Sequence, residues 1–289
     1  MQKTKIVAII ILCALGITAM TGTIAFAITG NPQPNTQRTS VGLVVFYTTD
    51  QNGNRIPVDA SSGILISPHI LLTAAHACLT TSVMVTFSGP VTYSLNNGQV
   101  QVTGATPTFD GIAIPNPNYS TNVQGKNGAP FAMTHDVAVV VLSSDVPTSV
   151  VSADTYGQLP SASLVDTLKV NTAVELVGYG AQDHLTPRNV GVQNTWAGLL
   201  MRNSAQSKLL SGNFAWSDEF IRCSANPSQG KGGISFGDSG GPVFLAGTNT
   251  VLALNSYVSN PNCAGETYHS RIDTNNMLNW INSEVTIHG

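Results

Sequence analysis

Three short stretches carry the residue types of acyl-transfer chemistry. Gly237-Asp238-Ser239-Gly240-Gly241-Pro242, followed by the apolar run Val243-Phe244-Leu245, describes a hydroxyl presented on a tight turn. Glycines on both sides of Ser239 tolerate positive φ and close approach of another chain. Successive N–H groups of such a turn point outward, as stabilisation of an oxyanion requires. The same residues are also ordinary turn chemistry, so their partners upstream decide the reading. Those partners are His76, in Thr73-Ala74-Ala75-His76, and Asp136, in His135-Asp136 ahead of Val137–Leu142. A serine hydroxyl is a weak nucleophile until a base lies within hydrogen-bond reach. His76 would be that base, with Asp136 fixing its tautomer and stabilising the imidazolium. Taken singly, His76 beside two alanines reads as a core histidine, and Asp136 as a residue opening a strand. It is the three together, each inside its own local motif, that point to a catalytic triad.

The order His, Asp, Ser with these motifs resembles the trypsin/chymotrypsin-like serine proteases, in a secreted, microbial form, from about Ile28 to the end of the chain. That resemblance implies an all-β enzyme of two antiparallel six-stranded β-barrels with a C-terminal α-helix and a cleft between the barrels. It implies an oxyanion hole formed by the N–H groups of Gly237 and Ser239. It also gives Asp238 a task of its own, pairing with the α-amino group of an apolar amino terminus. Ile28-Thr29-Gly30-Asn31 partly matches the family's Ile-Val-Gly-Gly start. The floor of the specificity pocket falls on Gly233, six residues before Ser239, and has no acidic group that would favour Arg or Lys. Asn255-Ser256-Tyr257-Val258 resembles the strand that pairs with substrate backbone, an edge-addition mode of binding. Val258 would narrow the pocket mouth and favour small or medium apolar residues. Polypeptides are the expected substrates, with no cofactor and a monomeric enzyme.

Cysteines depart from the family. Beyond residue 27 they are Cys78, Cys223 and Cys263, an odd count for a secreted protein. The family's usual cysteine after the catalytic His is Ala77 here, and Ser61 stands where its partner would be. Ser235 replaces the usual cysteine four residues before the nucleophile. Cys78 is expected to be a largely buried thiol, and Cys223 to bridge Cys263, closing a loop worth about 4 kcal/mol on chain-entropy grounds.

Composition fits these motifs to a strand-and-loop scaffold. Of 289 residues only 9% are charged, and Asn, Ser, Thr and Gly are plentiful. The net charge of −3 and the lack of a basic run exclude a nucleic-acid binder. Residues 1–27 read as a secretory signal, with Lys3 and Lys5, an apolar stretch from Ile6 to Ile17, and Ala25-Phe26-Ala27 as cleavage site. The rival is an uncleaved membrane anchor, disfavoured because the apolar stretch is short for a span. Cleavage takes the charge from −3 to −5. Short β runs follow at Val41–Tyr47, Gly63–Ser67, Ile70–Thr73, Val83–Phe87, Val100–Thr103 and Val137–Leu142, separated by Gly, Pro, Asn and Asp clusters. Such spacing argues for a barrel or sandwich. Thr48–Ala60 and Thr106–Thr134 read as surface insertions, the second with a glycosylation sequon at Asn118. Ser143 to Asn171 reads as the connection between barrels, dividing the chain into 28–145 and 146–289. Strands resume at Ala173–Val177, Phe220–Cys223, Pro242–Leu245, Val251–Leu254 and Tyr268–Ile272. A capped helix is expected over Asn275–Asn282, with Met277, Leu278 and Ile281 on one face. His135, His184, His269 and His288 show no metal-ligand spacing, and no acidic cluster suggests calcium. Two other uses of the scaffold remain at this point: a catalytically silent homologue that binds, and an esterase with the same triad.

Overall fold

The computed structural model describes residues 28–29, 32–96, 99–121, 123–124, 130–131, 133–180, 198–211, 217–259 and 263–289. The expected signal sequence and His184 lie outside the described residues. Strands β1 (Val41–Thr49), β2 (Arg55–Leu65), β3 (Ile70–Thr73), β4 (Ser82–Thr86), β5 (Thr108–Pro115) and β6 (Ala138–Leu142) form a first barrel. It runs in the order β6-β3-β2-β1-β4-β5 and closes where β5 pairs with β6. Strands β7 (Ala173–Gly178), β8 (Asn203–Ser211), β9 (Phe220–Ala225), β10 (Pro242–Leu245), β11 (Val251–Val258) and β12 (Gly265–Arg271) form a second. Its order is β8-β7-β10-β11-β12-β9, closed by pairing of β9 with β8. All pairings in both barrels are antiparallel.

Why β1 is apolar on both faces follows from where it sits. Val44 and Phe46 point into the first barrel, packing with Leu65, Leu71, Val83 and Val85. Val41, Leu43 and Val45 point the other way, onto a cluster that includes Val177, Tyr179, Phe244 and Leu254 of the second barrel. Alternate residues of a strand face opposite sides, so a strand between two cores must be apolar throughout. Each such side chain contributes about 1.5–3 kcal/mol on burial. The C-terminal helix, Asn275–His288, starts at Thr274, whose hydroxyl accepts the Met277 N–H. Its buried face, Met277, Leu278 and Ile281, is the expected one, and Met277 and Ile281 join the cluster between the barrels. The helix continues beyond Asn282 to His288.

Several expectations are corrected. Thr48–Ala60 is no insertion: β1 and β2 form one hairpin whose turn is closed by Asp50, its Oδ1 accepting the N–H groups of Asn52 and Asn54, both at 2.8 Å. Thr106–Thr134 contains β5, without which the first barrel would stay open. Phe109, Gly111 and Ala113 turn inward there, between exposed Thr108, Asp110 and Ile112. The prolines around this segment drew attention away from a plain alternation. Strand β8 was missed because its sequence, Asn-Ser-Ala-Gln-Ser-Lys-Leu-Leu-Ser, is mostly polar. Buried Ser207 on it is satisfied by donating to the Ser224 carbonyl at 2.6 Å.

The first described residues pair with strands and turns of the second barrel. Gln33–Pro34 pairs with Ser204 and Asn203 of β8, and Thr29 exchanges backbone hydrogen bonds with Gly233. The expected disulfide does not form: Cys223 and Cys263 remain thiols. Cys223 lies in the apolar core of the second barrel with Leu209, Phe220 and Ile221. Cys263 sits in a different setting, in a loop at φ 51°, where its carbonyl accepts the Thr29 hydroxyl. Burial raises both thiols, Cys263 to about 11.

Candidate active site

His76 is carried on a single helical turn, Ala75–Ala77, directly after β3. Ala74, Ala75 and Ala77 are buried, so only small side chains let this turn press against the barrel while the imidazole stays half-exposed. Asp136 precedes β6 and is fully buried. Its two oxygens serve one residue, Oδ1 accepting the His76 backbone N–H at 2.8 Å and Oδ2 lying 2.7 Å from Nδ1. The Ser256 hydroxyl also donates to Oδ2, at 2.5 Å. Burial pushes the Asp136 carboxyl up, but the His76 charge and these hydrogen bonds outweigh it and hold it below the ordinary carboxylate value. For His76, burial pushes the ring down, while Asp136 and the neighbouring carboxylate Asp59 raise it; the net shift is upward from 6.5.

On the other side of the imidazole, Nε2 lies 2.9 Å from Ser239 Oγ. The turn bearing Ser239 is fixed from the first barrel. Its carbonyl accepts the Ser62 N–H at 2.8 Å and the Ser61 hydroxyl at 2.6 Å, and the Ser62 hydroxyl donates to the Gly237 carbonyl at 2.9 Å. Gly237 has φ 92°, a left-handed conformation that only glycine adopts cheaply. Among the described residues, neither the Gly237 N–H nor the Ser239 N–H is used by another group. Two adjacent free donors beside a hydroxyl suit a developing oxyanion.

Asp238 faces away from the cleft and is fully buried. Gly180 N–H reaches Oδ1 at 2.8 Å, and Ser235 N–H reaches Oδ2 at 2.8 Å. The Ile28 N–H donates to Oδ2 at 3.1 Å, and the Ile28 side chain is fully buried among Val174, Leu176 and Ile234. A Cβ on Gly178 or Gly180 would lie 2.2 or 2.6 Å from the Asp238 carboxyl, so glycine on both sides of Tyr179 is a space requirement. With neutral donors alone, burial pushes Asp238 up to about 7.

A cleft of about 500 Å³ opens beside Ser239. Ile234, Ser235, Phe236, Tyr257, Val258 and Met133 line it. Gly233 is not on its wall: it is buried behind, where a Cβ would meet Ala225 at 2.4 Å, and its backbone holds Thr29. Tyr257 is braced by stacking on Tyr268, centroids 4.6 Å apart. Beyond Leu254, β11 leaves β10, so Ser256–Val258 presents a strand edge to the cleft. No group of three His, Cys, Asp or Glu among the described residues is placed to hold a metal.

The sequence matches the Trypsin family over residues 31–281. The chain belongs to the trypsin family. Its family and fold are those of the trypsin-like serine proteases. Its fold matches a solved structure titled "HL collagenase", with a TM-score of 0.61 at 19% identity, covering 90% of this chain and 98% of that one. At that identity the likeness speaks for the fold alone. No curated protein matches the sequence.

Sequence reasoning singled out the reacting groups but missed their supports. Asp59, Ser61, Ser62 and His269 carry no motif; Asp59 and Ser62 lay inside or beside stretches read as loop and strand end. Only a barrel register brings them to the site.

The pH response follows from His76. Its raised pKa means the imidazolium is favoured in the fold, so the Asp136 pair adds stability below about pH 6.5. That contribution is lost as pH rises through the folded value. A base must be neutral, so hydrolysis of an ester or amide substrate should fall with decreasing pH with a midpoint above 6.5. Asp59→Asn should move that midpoint downward, since it removes a charge that holds the proton on His76. A pH–kcat/KM profile of both forms checks this; an unmoved midpoint would remove Asp59 from the account.

Proposed function

We propose that this protein is a serine endopeptidase that cleaves peptide bonds through an acyl-enzyme. The observation that carries the reading is the placing of one imidazole between a buried carboxylate and a serine hydroxyl, Nδ1 2.7 Å from Asp136 and Nε2 2.9 Å from Ser239. His76 takes the Ser239 proton as Oγ attacks the carbonyl, and the oxyanion forms against the N–H groups of Gly237 and Ser239. His76 then gives the proton to the leaving amine. Water, activated by the same ring, hydrolyses the ester and frees Ser239. Losing one oxyanion donor typically costs about 3 kcal/mol of transition-state stabilisation. A silent homologue usually lacks a triad member, whereas this chain has all three at hydrogen-bond distances.

Ser239→Ala and His76→Ala should each lower kcat by about 10⁶-fold, with no further loss in the double variant. The unsubstituted protein should be labelled by a serine-directed fluorophosphonate at Ser239. Substantial turnover by Ser239→Ala would end the reading.

For specificity, the observations in support are the apolar Ile234, Phe236 and Val258 around the cleft and the lack of a carboxylate among its described lining residues. Cleavage is proposed after small or medium apolar residues, with the substrate backbone added along Ser256–Val258. Val258→Gly should extend the preferences toward aromatic residues in a mixed peptide library. Cuts confined to Arg or Lys would refute the pocket assignment.

The working amino terminus is proposed to be Ile28, exposed by removal of a secretory signal over residues 1–27 from a secreted enzyme. Support comes from the Ile28 nitrogen, 3.1 Å from Asp238. As an ammonium it would pair with a carboxylate that has no other cation beside it among the described residues, an arrangement whose disruption costs about 3–5 kcal/mol. A tag retained ahead of Ile28, and equally Asp238→Asn, should leave a folded protein of low activity. Amino-terminal sequencing that begins elsewhere, or full activity with the tag in place, would reject this.

A further inference from the structure

Behind the Ser239 turn lies a buried polar strut that the reaction does not use directly. Asn255, on β11, holds the turn at three points. Its side-chain NH₂ donates to the Asp238 carbonyl at 3.0 Å, its N–H donates to the Gly241 carbonyl at 2.8 Å, and its carbonyl accepts the Gly240 N–H at 2.7 Å. The second amide hydrogen goes to the Val177 carbonyl at 3.2 Å. With both hydrogens committed to carbonyls, Asn255 Oδ1 must face the remaining neighbour, His269 Nδ1, 3.0 Å away. An amide oxygen can only accept, so Nδ1 carries the hydrogen. Nε2 is then a bare acceptor, and the Thr267 hydroxyl donates to it at 2.9 Å. The imidazole is fully buried, and burial keeps it neutral by lowering its pKa to about 3. The chain of donors therefore has one direction, from Thr267 through His269 and Asn255 to the Asp238 carbonyl.

The far end of this strut reaches the segment behind the pocket wall. The Thr267 methyl lies 3.0 Å from where a Cβ would stand on Gly233, the residue before Ile234 and Ser235 of the cleft wall. We propose that His269 is a positioning residue: by donating to Asn255 Oδ1 it fixes the amide orientation that holds the Ser239 turn, and ties that turn to the pocket wall. Without the Nδ1 donor, a flipped amide would set its oxygen against the carbonyls of Val177 and Asp238, so the turn would lose its anchor on that side. This inference rests on the peptidase reading of the same site.

The test compares His269→Leu, which fills the space without a donor, with His269→Gln, which keeps an N–H toward Asn255. The third variant is Thr267→Val, which removes the hydroxyl that donates to Nε2. Misplacing a reacting group by about 1 Å can cost 10²-fold in rate. His269→Leu should therefore lower kcat by about 10²-fold with KM within about threefold of the original. His269→Gln should recover most of that loss. Thr267→Val should lose about fivefold, the equivalent of one neutral hydrogen bond. Active sites are counted by fluorophosphonate titration, so that unfolded protein is not scored as slow protein. In ¹⁵N-labelled enzyme the His269 ring should show the Nδ1–H tautomer and no titration between pH 5 and 8. Unchanged kcat in His269→Leu, no recovery in His269→Gln, or an Nε2–H tautomer would each overturn the proposal. If His269→Leu does not fold, unchanged kcat in both other variants overturns it and a loss in Thr267→Val supports it. Absence of phosphonate labelling in the unsubstituted protein would instead count against the peptidase reading, and the tautomer would still decide the strut.

Discussion

A fully buried carboxylate sets the shape of the turn that carries Ser239. Asp238 is fully buried, and burial outweighs its neutral donors and pushes it up to about 7. Much of the surrounding sequence makes sense only as accommodation of that group. Gly178 and Gly180 leave space for it, Ser235 turns its backbone and hydroxyl toward it, and Ile28 threads under it. With the carboxylate drawn in, the Gly237 and Ser239 N–H groups are used by no other group among the described residues.

That turn is gripped from both barrels. From the first come Ser61 and Ser62, whose three hydrogen bonds reach the Ser239 and Gly237 carbonyls. From the second comes Asn255, with its side chain and both backbone groups. Tyr179 links the two sides, its N–H donating to the Ser62 hydroxyl at 2.8 Å. The imidazole and Asp136 ride on the first barrel, so the distance from His76 Nε2 to Ser239 Oγ is a distance between domains. The apolar seam of Val41, Leu43 and Val45 against Val177, Phe244 and Leu254 keeps that distance constant. Packing at interior density resists the sub-ångström shifts that would spoil proton transfer.

How much of this could be read from the sequence depended on the kind of signal each residue gives. His76, Asp136 and Ser239 stand in local motifs, and so does the glycine-flanked turn. The apolar strands were legible wherever one face or both are buried, as in β1 and β6. Strand β8 was not, because its alternation sets Ser207 inward between Ala205 and Leu209, where a hydrogen bond rather than apolar area satisfies it. Strand β5 alternates cleanly, yet its flanking prolines favoured a loop. The supports of the site, Ser61, Ser62, Asn255 and His269, are hydrogen-bonding residues whose partners lie far along the chain. No period or spacing encodes such a pairing; only the closed barrels do.

The cysteine expectation failed for a related reason. Pairing Cys223 with Cys263 treated an odd set of cysteines as a bridge to be completed, whereas the fold treats each by its surroundings. Cys223 fills apolar core, where a small soft side chain packs as well as an alanine or valine would. Two of the positions where the family resemblance implies bridge cysteines near the site, 61 and 235, carry hydroxyls here. Ser61 donates to the Ser239 carbonyl and lies 3.2 Å from the Thr73 hydroxyl, and Ser235 donates to Asp238. A disulfide stabilises chiefly by restricting the unfolded chain, while a hydrogen bond orients a group in the folded one. Two barrels with three extensive apolar clusters have burial enough to fold without cross-links. What the site then needs is orientation, and serine supplies it directly at the carbonyls and the carboxylate that shape the nucleophile turn.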